Sequence, residues 1–168
     1  CLLMVTQFHG LFPNQEDIIH NTFPYFDGGA SISRTARPYP SWLVFKPAMF
    51  LTSFLLIKYW LYNKKIIEFF NETHKYKNKI IFFGIASAIA LTIHSIFLGI
   101  KFDNDLYKLF RRVIMLSFII FEIVAQAYLV ATLYSFKEKL AEYINLTYLK
   151  LKIALVSILI IVAIISIP

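Results

Sequence analysis

The sequence predicts an all-α integral membrane helical bundle, and three observations carry that prediction. Hydrophobic residues make up 58% of the chain and charged residues only 16%, a balance too apolar for an ordinary soluble domain. The mean hydropathy is +0.64. Four apolar stretches, each close to the ~20 residues that a helix needs to cross a 30 Å hydrocarbon core, alternate with short connectors rich in lysine.

Taken in order, residues 1–12 (CLLMVTQFHGLF) are apolar but too short to cross alone, and suit the end of a truncated helix. Residues 13–42 are polar and rich in Pro, Gly, Ser and Asn, which marks a loop. Spans are expected at 43–62, 80–100, 113–134 and 151–167. The chain thus reads as one transmembrane bundle over 1–168, with four complete spans and a partial one before them. Cys1 is the sole cysteine, so the chain can form no internal disulfide and no thiolate metal site. Lipidation of Cys1 and plain truncation both remain open.

Orientation follows from the connectors. Lys64, Lys65, Lys75, Lys77 and Lys79 lie between the first two complete spans, and Lys137, Lys139, Lys150 and Lys152 lie around the last connector. Basic residues favour the cytoplasmic side, so loops 63–79 and 135–150 are expected in the cytoplasm, and the long first loop and residues 101–112 outside. The net charge of +7 has this origin, and nucleic-acid binding is excluded on that ground. Trp42, Tyr59, Trp60, Tyr62, Tyr107 and Tyr134 sit at expected boundaries, where amphipathic rings prefer the headgroup region. The sequons at Asn71 and Asn145 fall in connectors assigned to the cytoplasm and read as chance matches.

Glu122 is the most conspicuous residue. A carboxylate within a span costs several kcal/mol if it faces lipid unpaired, roughly 3 on insertion scales. Gln126 lies one turn on, so the two define a polar stripe directed into the bundle. His94, judged to lie at similar depth from the expected span ends, is the natural partner. A proton- or headgroup-responsive site and a structural hydrogen bond both fit these residues. Gly84, Ala88, Thr92, Ser95 and Gly99 form a strip of small side chains suited to close helix packing. Lys46 and Lys58 lie near span ends and are expected to extend toward the interface.

In the first loop, Ser31 and Ser33 follow Gly28 and Gly29 and precede Arg34 and Arg37. Tight turns with exposed N–H groups beside two guanidinium groups can hold a phosphate or lipid headgroup. An ordered cap over the bundle is the plainer alternative. Catalysis has little support: Ser31 or Ser33 with His20 and Asp27 supplies triad residue types without nucleophile-elbow spacing. No metalloprotease motif, phosphate-binding loop or metal-ligand spacing occurs. No cofactor and no metal are expected.

The residues Phe23-Pro24-Tyr25, Asp27, Gly28, Ser31, Pro40 and Val44-Phe45-Lys46 together resemble the first outer loop and second helix of the Frag/DRAM/Sfk family of multi-span membrane proteins. That resemblance implies six helices with a long first outside loop, of which this chain would hold the end of helix one and helices two to five. It also implies an involvement with lipid. The sequence therefore leads to a non-enzymatic protein that binds or organises membrane lipid at the outer-leaflet side. An accessory subunit among other membrane protein subunits is the alternative.

Overall fold

The computed structural model describes residues 35–36, 38–71, 74–98, 100 and 104–165. The expected helix at 1–12 and nearly all of the first loop lie outside them. Among the described residues every regular element is helical: α1 (Ser41–Phe70), α2 (Lys77–Phe97), α3 (Asp105–Ser135), α4 (Lys137–Leu140) and α5 (Leu146–Ile165). All but the four-residue α4 are long and apolar enough to cross a membrane, as the sequence requires.

These helices run past the apolar stretches that announce them. Helix α1 continues beyond residue 62 through Lys64, Lys65 and Glu68, where Lys64 pairs with Glu68 at 3.9 Å and Lys77 of α2 reaches the same carboxylate at 3.3 Å. Helix α3 starts at Asp105 and not near 113: the Asn104 side chain accepts from the Leu106 N–H at 3.1 Å and caps it. Helix α5 starts at Leu146, where Asn145 accepts from the Thr147 N–H at 2.9 Å. Hydropathy marks where a helix meets hydrocarbon, whereas caps mark where it begins. That capping bond also gives Asn145 a structural role within its sequon.

In space the order is α1, α2, α3, α5, with α2 packed against both α1 and α3, and α5 leaning on α3. The most enclosed helix is α2: 39% of its apolar stretch is buried, against 11% for α1 and for α5. Its small residues allow this. Gly84 lies directly against the Trp60 indole, which would overlap any Cβ placed there. Further along the same face, Ser53 of α1 donates to the Ala88 carbonyl at 2.7 Å and lies 2.6 Å from Thr92 Oγ1. Trp60 and Ile67 of α1, Ile80 of α2, and Ala125 and Leu129 of α3 form the buried core. Tyr59, Tyr76, Phe83, Tyr128 and Phe136 pack around it, which weights the core toward the lysine-rich end. At that end Phe70 stacks on Phe136 at 5.8 Å and His74 meets Phe136 edge-on at 5.1 Å, tying the two lysine-rich connectors together.

Candidate functional site

The polar residues inside the bundle fall into two groups. The first centres on Glu122, whose Oε1 accepts from Gln126 Nε2 at 2.9 Å. One helical turn brings these two side chains onto the same face of α3. Oε2 is 2.7 Å from Ser87 Oγ of α2 and accepts from Trp60 Nε1 of α1 at 3.3 Å. Ser87 Oγ is also 2.8 Å from the Gly84 carbonyl, and its single hydroxyl proton can serve only one of these acceptors at a time.

From Gln126 the chain of contacts continues outward from the core. Its Oε1 accepts from the Tyr59 hydroxyl at 3.4 Å, and that hydroxyl in turn accepts from Lys152 Nζ of α5 at 2.8 Å. The Lys152 ammonium also lies 5.4 Å from the Tyr59 ring centroid. A carboxylate on α3 and an ammonium on α5 are thus connected through side chains of α1 and α3, and the network touches all four long helices. In a low-dielectric interior, groups linked in this way hold the rotation and register of their helices.

His94 does not join this network. Ser87 bonds Glu122, and His94 lies two turns further along α2, roughly 10 Å away by helix rise. The depth comparison from sequence counted from span ends, and α3 begins well before its apolar stretch, which displaces the register. Glu122 consequently lies nearer the lysine-rich side than that comparison implied. Sequence reasoning also passed over Tyr59 and Trp60, taken as interface aromatics, and Lys152, taken as a connector lysine. Ser87 carried no periodic signal. The small-residue strip next to it was the one available hint.

The second group lies at the opposite end of the α2–α3 pair. There the Tyr107 hydroxyl donates to the Phe97 carbonyl at 2.7 Å, and Phe97 meets Phe110 edge-on at 5.3 Å. Arg111, one turn past Tyr107, carries its guanidinium 5.9 Å from the Tyr107 ring centroid. His94 precedes Phe97 by about one turn. His94 Nδ1 and Arg111 Nε are both covered from solvent and have no hydrogen-bond partner among the described residues. Of the outer-loop candidates, Ser31, Ser33, Arg34 and Arg37 all lie outside the described residues. No group of His, Cys, Asp and Glu side chains suited to a metal ion occurs among the described residues.

Four apolar helices joined by an internal polar network, with basic connectors at one end, define a polytopic α-helical integral membrane protein. The family model for the Frag1/DRAM/Sfk1/Cwh43P N-terminal domain matches residues 3–167. The chain belongs to that family. No curated protein and no solved structure matches it.

Proposed function

We propose that this protein binds phospholipid, without catalysis, at the outer-leaflet side of its membrane, and holds the headgroup where α2 ends and α3 begins. One observation supports this above the others: the covered His94 Nδ1 and Arg111 Nε without partners. A guanidinium N–H shut away from water and lacking an acceptor is costly, by about 1–3 kcal/mol. A phosphodiester supplies charged acceptor oxygens that suit Arg and an imidazole N–H. The basic connectors at the far end favour an orientation with loops 63–79 and 135–150 in the cytoplasm and this site outside. Arg34 and Arg37 of the first loop, outside the described residues, are the sequence's further headgroup candidates on that side of the membrane. The Glu122 network fixes α2 against α3, the two helices that carry His94 and Arg111.

The test is lipid retention. Protein purified in mild detergent is analysed by native mass spectrometry beside a His94→Gln/Arg111→Gln variant. Bound phospholipid should drop by about tenfold, the equivalent of one charged hydrogen bond. Unchanged retention by a folded variant would reject the site. A stoichiometric protein partner with no retained lipid would support the accessory-subunit role.

A further inference from the structure

The outward face of α1 carries a second feature, independent of the His94 and Arg111 site. Ser53, Trp60, Asn63 and Ile67 bury one side of this helix. On the other side Phe54, Lys58, Leu61 and Lys65 follow at three- and four-residue steps, with Tyr62 one turn from Lys58, all of them exposed, and so share one stripe. Lys58, Leu61, Tyr62, Lys64, Lys65 and Glu68 line a groove of about 340 Å³. Its one carboxylate, Glu68, is engaged by Lys64 and Lys77. Lys58 and Lys65 make no ion pair among the described residues.

Lys58 is the informative residue. Its Cα–Cβ bond tilts toward the helix N-terminus, as every helical side chain does. For Lys46, near the start of α1, this tilt leads to the interface, and its ammonium lies 5.7 Å from the Trp42 ring centroid. For Lys58, near the other end, the same tilt leads inward, and its ammonium lies 4.8 Å from the Phe54 ring centroid. The expectation that Lys58 extends to its nearer interface is therefore not met. An exposed ammonium beside apolar side chains, about 10 Å along the axis from Lys65, calls for an anion that reaches into the bilayer edge.

We propose that this stripe binds an anionic phospholipid of the leaflet on the lysine-rich side. Its phosphate lies between Lys58 and Lys65, and an acyl chain follows Leu61, Phe54 and Leu51. A lipid fits where a soluble anion does not, because the groove continues into exposed apolar surface at Phe54 and Leu51. Charge complementarity selects an acidic headgroup over a zwitterionic one.

The experiment reconstitutes the full chain into phosphatidylcholine vesicles containing trace spin-labelled phosphatidylserine or spin-labelled phosphatidylcholine. The protein should immobilise the serine lipid preferentially, and Lys58→Gln/Lys65→Gln should reduce that preference by about tenfold. Both side chains are exposed, so the variant should fold, and circular dichroism checks that it does. Lys75→Gln/Lys79→Gln removes equal charge from the same side away from the groove and should leave most of the preference. Equal loss in both variants would overturn the proposal in favour of diffuse surface charge. Absence of preference in the wild type, or complete displacement of the lipid by millimolar inorganic phosphate, would overturn it too. The His94→Gln/Arg111→Gln variant should keep the preference, so the two sites fail or stand separately.

Discussion

Toward the lysine-rich end of the bundle, both carboxylate oxygens of Glu122 and both ends of the Gln126 amide have partners. Toward the other end of the same α2–α3 pair, His94 Nδ1 and Arg111 Nε have none among the described residues. The contrast separates two uses of a polar side chain inside a membrane protein. A satisfied network fixes helix rotation and register, because any slip strands several groups at once. Covered groups without hydrogen-bond partners cost the bundle stability, and on the proposed reading a bound lipid offsets that cost. Thr132 Oγ1, near the lysine-rich end, also lacks a partner among the described residues, but a lone neutral hydroxyl costs less to leave unpaired than a guanidinium.

The strongest way to break this comparison is at the tightest contact of the satisfied end. Gly84→Leu would drive its side chain into Trp60 and displace the indole from Glu122, with a cost of about 3 kcal/mol. Thermal unfolding in detergent would register the loss. A variant as stable as the wild type would show that α1 and α2 are not held here.

Next in size is the pair at Glu122. Glu122→Leu strands the Gln126 Nε2 and Trp60 Nε1 donors, while Ser87 can still donate to the Gly84 carbonyl, and should cost about 1–3 kcal/mol, whereas Glu122→Gln keeps hydrogen-bonding atoms at both positions and should cost less. Denaturant titration of both variants in one detergent ranks them, and the reverse order would contradict a structural role for the carboxylate.

Weaker effects belong to the outer arm of the network. Lys152→Met removes the donor to Tyr59, and Tyr59→Phe removes both bonds of that hydroxyl. Each should cost under about 1 kcal/mol, in line with interhelical hydrogen bonds measured in membranes. A double-mutant cycle should show coupling between the two positions and none between Lys152 and Arg111.

The smallest effect sharpens the comparison most. Arg111→Leu should not lower stability in lipid-free detergent, because among the described residues the covered Nε has no acceptor to lose. The same substitution should abolish the stabilisation that added phospholipid gives the wild type. A large loss of stability without lipid would mean that Arg111 has a structural partner and that the two ends do not differ.

Much of this was legible in the residues. Glu122 and Gln126 sit one turn apart on one helix, so their meeting is local and needs no knowledge of any other span. The small strip on α2 likewise indicates which face meets a neighbour, and Gly84, Ala88 and Thr92 do lie against α1. Partners on other helices were not legible. Ser87 against Glu122 depends on where α3 starts, which a single Asn104 cap moves by two turns relative to the apolar stretch. Tyr59 and Lys152 look like interface residues because they are near span ends, and only their neighbours turn them inward.

By itself the sequence determined the membrane class, the four long helices and the family resemblance. A bilayer makes those features local: each span must satisfy its own backbone and present ~20 apolar residues, whatever surrounds it. Tertiary structure alone decided the rotation of each helix about its axis and its sliding register against the next. Those depend on which side chains interlock across helices, as Trp60 does against Gly84, and a periodic pattern of apolar residues leaves them free because lipid and protein interior are almost equally apolar. The pairing of Glu122 with Ser87 and Trp60, and the separation of His94 from it, follow from that register.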